Sequence, residues 1–248
     1  MAAIEKIKIT ELVDSNYIYA SVLYYFGIEF YNYSEYTLEQ ACYEKGLNPK
    51  SVINGLESFS KKDNEVAIQE YPIDLIIEYL KHTHFIFIKQ KLPYIGNLIQ
   101  NFNTTDTAYQ NVAKDLKFVF PLFVEDFIHH IYEEEDTLFE YICRLDNYKK
   151  GKGNISKLYF EMERNSLCDF ASEHEEHDDE MNGIRQITNG YEINKNTPLH
   201  IKIIYSELEA LERELQTHAN VENEILFPKA MMLEKDVSRM LQTKTKFN

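Results

Sequence analysis

A chain of 248 residues with 44% apolar side chains can bury the core of one large domain, or of a domain with a small appendage. Its formal charge of −15 repels phosphate backbones and anionic lipid, because affinity for either rests on clustered Lys and Arg that release counterions, so neither nucleic acid nor a membrane is an expected partner. The opening MAAIEKIKIT lacks an apolar leader run, no later stretch approaches the roughly 18 uncharged apolar residues of a membrane span, and Cys42, Cys143 and Cys168 are too scattered for a disulfide framework or a CxxC metal site, which predicts a cytoplasmic chain with inert thiols.

Only 8 Gly and 6 Pro punctuate the sequence, and between them apolar residues recur at three- and four-residue steps rather than alternating. That pattern predicts an all-α protein. Residues 1–65 carry short segments broken at Gly27, at GLNP (46–49) and at the polar run SKKDNE (60–65), as in a small helical N-terminal domain followed by a linker. A second domain is expected over 72–240, with four long helices at about 72–101, 107–147, 157–190 and 197–235. The polar connections NFNTTD, YKKGKGN and NGYEINKNTP join them, and four helices with short loops pack as an antiparallel bundle. Thr197 ahead of Pro198 reads as an N-cap with proline at the first helical position.

Each expected helix carries an apolar stripe with polar residues inside it. In the first, Ile73, Ile77, Leu80, His84 and Ile88 share a face, whereas His82 points roughly to the opposite side at 100° per residue. The second aligns Phe123, Phe127, His130, Glu134, Leu138 and Tyr141. The third aligns Leu167, Phe170, His174, His177, Met181 and Ile184, so two histidines compete for the inward position there. The fourth aligns Leu208, Leu211, Leu215, His218, Glu222 and Ile225. His130/Glu134 and His218/Glu222 thus repeat one spacing, about a helical turn, that stacks imidazole and carboxylate on the same face ahead of an apolar run.

A buried carboxylate pairs, takes up a proton or binds a metal. One His-x-x-x-Glu is more often a surface pair, and one histidine in an apolar stripe is usually a satisfied core residue. Four helices that each deliver an inward histidine, two of them with a glutamate one turn later, are better explained by metal. In four-helix bundles such inward side chains can hold two iron or manganese ions, with carboxylates bridging between them. The set is His84, His130, Glu134, His177, His218 and Glu222. Imidazole with carboxylate suits iron, manganese or zinc, but six ligands exceed the tetrahedral set of structural zinc. Two irons, each with two imidazoles and a share of both carboxylates, stay below six-coordinate and leave room for an oxo bridge, water or a diatomic ligand. Glu133, Glu135, Glu175, Glu176, Asp178 and Tyr132 adjoin these positions, either as outer groups that orient imidazole N–H bonds or as a solvated acidic face.

With HIYEEEDTLF, SEHEEHDDE and HANVENEILFPKA as its signatures, this four-histidine, two-glutamate pattern resembles the hemerythrin-like domain of the repair of iron centres (RIC) proteins. FGIEFYNYSEYTLEQACYEKGLNP is similar to that family's small N-terminal domain, and HTHFIFIKQKLP to the opening of its first bundle helix. The resemblance spans nearly the whole chain. It implies a non-haem di-iron protein of the nitrosative and oxidative stress response, holding two iron ions in an oxo- and carboxylate-bridged centre. Such a protein binds NO or O2 there and supplies iron for the repair of damaged iron–sulfur clusters, with iron–sulfur proteins as partners. The family's ligands fall on His130, Glu134, His177, His218 and Glu222; counting back from Leu92 and Pro93 places the remaining one at Phe85, whereas the apolar stripe keeps His84. One departure concerns the adjacent cysteines of the family's N-terminal domain, where this chain has Tyr31 and Asn32, followed by Tyr33. Dithiol chemistry is not available at that place, which leaves the iron pair. It also brings forward an alternative, a hemerythrin-like diatomic-gas sensor or iron carrier without catalytic turnover, whose N-terminal domain contacts a partner.

Overall fold

The computed structural model describes residues 4–58, 68–152, 155–164, 167–168, 170–171 and 179–246. Among them the secondary structure is helical, with one isolated antiparallel bridge between Lys8 and Thr37 and no strand, so the all-α expectation holds. None of the described helices is long and apolar enough to cross a membrane. The chain gathers into two compact units, each discontinuous in sequence. One comprises Met1–Glu65, Tyr94–Lys114 and Thr188–Ala210, and the other Val66–Pro93, Asp115–Ile187 and Leu211–Asn248. The expected domain of 1–65 forms the first segment of the first unit, while residues of the expected 72–240 domain are shared between both.

The first unit opens with four short helices, α1 (Ile9–Ser15), α2 (Ile18–Tyr25), α3 (Leu38–Glu44) and α4 (Pro49–Ser58). After α2, Gly27 adopts φ +78°, which lets its N–H reach the Tyr24 carbonyl at 2.8 Å and the Ile28 N–H reach that of Leu23 at 2.9 Å. A side chain there would strain the left-handed backbone. Helix α3 opens in a reciprocal cap: Thr37 Oγ1 accepts the Gln40 N–H at 3.3 Å, and Gln40 Oε1 accepts the Thr37 N–H at 2.9 Å. Ile9, Leu12, Val13, Leu23, Leu38, Val52 and Leu56 are buried. Tyr31 donates its hydroxyl hydrogen to the Asn97 side chain, and its ring stacks on His200 at 5.1 Å.

The second unit is a helical bundle, and three of its helices share a backbone irregularity. Helix α5 (Ile73–Ile86) passes through a π segment, Phe87–Lys91, into α6 (Leu92–Asn101). Helix α7 (Thr107–Glu133) passes through Glu134–Phe139 into α8 (Glu140–Lys149), whereas α9 (Ile155–Arg164) and α10 (Asn182–Ile187) show no such segment. Helix α11 (Leu199–Val221) passes through Glu222–Leu226 into α12 (Phe227–Lys246). A π turn is rare and tends to occur where a helix presents functional side chains. Here Glu134 and Glu222 each open one, and Phe87 opens the third, three residues after His84. Beyond the glutamates the helices bury Leu138, Phe139, Ile142 and Leu145 on one side and Leu226, Phe227, Ala230 and Leu233 on the other, against Ile76, Ile77 and Leu80 of α5. Each large apolar side chain taken out of water contributes about 1.5–3 kcal/mol, which anchors a polar cluster that the same helices must carry.

Two helices differ from expectation. The third is not continuous over 157–190: after Ile155–Arg164 and the helical residues 167–168 and 170–171, residues 179–181 form a turn ahead of α10. In that turn the Asp179 carbonyl accepts the Asn182 N–H at 3.1 Å and its carboxylate accepts the Arg185 guanidinium, Nη1 at 3.2 Å. The fourth begins at Leu199 and runs to Lys246 because Leu233, Val237 and Leu241 continue the buried stripe. Thr197 turns its hydroxyl elsewhere than the expected cap, accepting the Asn194 N–H at 2.9 Å and lying 3.1 Å from the Tyr109 hydroxyl. His174, His177, Glu175, Glu176, Asp178 and the run 60–65 lie outside the described residues.

Candidate metal centre

Within the second unit, His84, Glu134, His218 and Glu222 are all buried and offer ligand atoms that lie within 4.8 Å of one another. Three helices contribute: α5 supplies His84, the α7–α8 helix supplies Glu134, and the α11–α12 helix supplies His218 and Glu222. His130, one turn before Glu134, is only partly covered, its side chain 32% exposed, and places Nε2 3.1 Å from Glu134 Oε1. The first-helix alternatives separate cleanly, because His84 is 1% exposed while Phe85 is 53% exposed and His82 also faces solvent. His177 lies outside the described residues, and Glu133 and Tyr132 are exposed.

The two central imidazoles are engaged on both sides. Thr83 Oγ1 lies 2.7 Å from the Leu80 carbonyl and 2.7 Å from His218 Nδ1. His84 Nδ1 donates to the Glu135 carboxylate at 2.8 Å. The two Nε2 atoms face each other at 2.9 Å, a separation at which one ring donates a hydrogen to the other or both turn lone pairs toward a shared cation.

Carboxylate oxygens complete the ring of donors. Glu134 presents Oε1 to His130 and Oε2 to His84 Nε2 at 3.4 Å, and Glu222 Oε1 lies 3.4 Å from His218 Nε2. Burial, and next the neighbouring His218, hold the His84 imidazole below its ordinary value of 6.5, against the pull of Glu134 and Glu135. A ring that resists its second proton keeps a lone pair available for a metal. Phe139 stacks on His84 at 5.8 Å, Phe87 meets His218 edge-on at 5.8 Å, and Phe127 backs Phe87. This wall keeps water from much of the cluster and strengthens its electrostatics. The donor set is imidazole and carboxylate with no thiolate, which fits iron, manganese or zinc.

Thr83 is the contact that sequence periodicity did not signal. It follows His82 and precedes His84 in HTHF, a place where the stripe predicts no inward role, yet its hydroxyl serves a histidine on another helix. His130 and Glu134 also line a cavity of about 620 Å³ whose wall includes Leu122, Phe123, Phe170 and Phe227 together with Asp126, Glu133 and Glu180.

Residues 95–230 match the family described as "Hemerythrin HHE cation binding domain". That stretch contains His130, Glu134, His218 and Glu222, whereas His84 precedes it. The chain is also 19% identical over 206 residues to the iron-sulfur cluster repair protein ScdA from two strains of Staphylococcus epidermidis, an alignment covering 82% of this chain and 88% of each relative.

Proposed function

Since the chain belongs to the hemerythrin HHE cation binding domain family, we propose that it is a non-haem di-iron protein of the cytoplasmic response to nitrosative and oxidative stress. In this reading it binds NO or O2 at the iron pair and supplies iron for the repair of damaged iron–sulfur clusters; the name of its ScdA relatives, iron-sulfur cluster repair protein, supports the repair part of it. One observation carries the proposal: two buried histidines with facing Nε2 atoms at 2.9 Å, set between two buried carboxylates.

His84, His130, His177 and His218 would hold the ions as terminal ligands, with Glu134 and Glu222 shared between them. The sharing of Glu134 is supported by its two oxygens, each of which faces a different imidazole, His130 and His84. When bound, the iron pair supplies the redox chemistry and a coordination position for a diatomic molecule. The chain's own contribution is geometry and shielding. Phe87, Phe127 and Phe139 keep solvent from the buried side, while the cavity beside His130, part apolar and part acidic, leaves room for a small molecule to approach. Glu135 accepts the Nδ1 hydrogen of His84, which leaves the Nε2 of that ring for the metal side, and Thr83 holds the His218 ring through its Nδ1.

A second reading, a gas sensor or iron carrier without turnover, is favoured by one feature of the first unit. Its sole cysteine is Cys42, fully buried, and Tyr31 at the place of the expected cysteine pair is engaged with Asn97 and His200. The test is to titrate NO anaerobically into the reduced, iron-loaded protein and follow headspace nitrous oxide. Continued production with a supplied reductant supports turnover. Saturation at a fixed amount of bound NO supports the sensor, and no uptake of iron or NO contradicts both.

A further inference from the structure

A second cavity in the same unit, of about 470 Å³, is lined by the donor cluster His84, His130, Glu134, His218 and Glu222 and also by Asp179, Arg185 and Glu212. The two groups mark its two ends. Asp179, Arg185 and Glu212 have side chains 56%, 37% and 25% exposed, against 2%, 8% and 1% for His84, His218 and Glu222, so a buried floor leads to a solvent-facing mouth. Residues 179–185 form one wall near that mouth and the α11 helix from Glu212 forms another. Arg185 ties them together. Its Nε and Nη2 reach Glu212 Oε1 at 2.8 and 2.6 Å, while Nη1 reaches Asp179 Oδ2 at 3.2 Å and Nη2 reaches Asp179 Oδ1. Five carboxylate side chains line the cavity against this one guanidinium.

Resting on the iron-supply reading above, we propose that Arg185 is a gating residue: its ties to Asp179 and Glu212 close the polar cavity, and their parting lets a hydrated divalent cation pass between solvent and the donor cluster. Charge gives the gate its selectivity. While the ties hold, the guanidinium offsets the two outermost carboxylates and sets a positive group in the path of a cation. Once they part, those carboxylates face the mouth, and a cleft lined by one sign of charge concentrates the opposite ion. The strength of the tie also suits a gate. Ion pairs at this exposure are individually weak, and the planar fork that meets two carboxylates at once adds direction to them. Together such pairs bias the closed form by about 5–30-fold, enough to hold and little enough to open in thermal motion.

The test compares wild type with Arg185→Gln and Glu212→Gln, each confirmed as folded by circular dichroism. Anaerobic stopped flow measures ferrous ion uptake, and a coloured ferrous chelator measures its removal. Arg185→Gln should speed both by about 5–30-fold. The ratio of the two rates should stay close to that of wild type, because the donor side chains are unchanged. Glu212→Gln breaks the same tie from α11 and should speed removal likewise. Diethylpyrocarbonate, a neutral reagent for imidazole, reads the opening without metal: His84 and His218 should be modified faster in both variants, as located by peptide mass spectrometry. Wild-type uptake and removal rates in Arg185→Gln would overturn the gate, as would slower uptake with weaker binding, which marks damage to the donor cluster instead. Faster modification of the two histidines in variants that take up no iron, alongside a wild type that takes up none, would overturn the proposed function and leave the gate standing.

Discussion

Replacing Glu134 and Glu222 together by leucine should separate metal binding from folding. Their side chains are 7% and 1% exposed and lie with His84 and His218 within 4.8 Å, so without metal the chain holds two carboxylates out of water beside two imidazoles. Exchanging buried ionic groups for apolar ones of similar volume is neutral to stabilising by about 1–4 kcal/mol. For a protein of this size each kcal/mol moves the melting midpoint by about 2–4 °C, so the metal-free double variant should melt no lower than the metal-free wild type and up to roughly 16 °C higher. Ferrous iron should reverse the order of response. At about 100 times its Kd it stabilises the wild type by about 2.7 kcal/mol, or about 5–11 °C, and it should leave the variant unmoved. Anaerobic calorimetry with and without iron, paired with elemental analysis, measures both. A double variant that melts several degrees lower without metal, or that still takes up iron, refutes the reasoning.

His82→Ala should retain iron and His84→Ala should lose most of it, because the first ring faces solvent and the second is buried in the donor cluster; elemental analysis of the pair decides. Burial pushes the Cys42 and Cys143 thiols up, which lowers the thiolate fraction that reacts, whereas Cys168 is exposed. Iodoacetamide near pH 7.5 should therefore label Cys168 first and the other two only after unfolding, and mass spectrometry showing equal rates would contradict this. Thr37→Ala removes the reciprocal cap of α3 and should cost about 1 kcal/mol locally, seen as faster amide exchange across Leu38–Glu44 with little change in iron content.

Much of this centre is legible in the sequence because helical periodicity and burial demand the same residues. Leu208, Leu211, His218 and Glu222 keep one face turned inward, and all four are buried. The same geometry distinguishes His84 from His82, two residues apart and therefore on different faces. What periodicity does not carry is the hydrogen-bond register of the backbone. The π segments at Phe87, Glu134 and Glu222 leave no compositional mark, since an inserted i→i+5 bond is a property of the packed helix rather than of any residue type. Thr83 was invisible for a related reason: its role depends on which helix α5 packs against. The turn before Asn182 falls in a stretch where the apolar stripe alone predicted continuation, because Met181 and Ile184 are both buried although a turn ends at the first of them. His130 also shows the limit of a stripe, sharing the face of Glu134 while remaining partly open beside the cavity.

The most direct test is to reconstitute the protein anaerobically with ferrous iron, crystallise it, and collect anomalous diffraction on either side of the iron edge. The account predicts two anomalous peaks per chain among His84, His130, Glu134, His218 and Glu222, matched by about two irons per chain in solution. A folded protein with no iron signal among those side chains, or with iron bound only at its acidic surface, would contradict it.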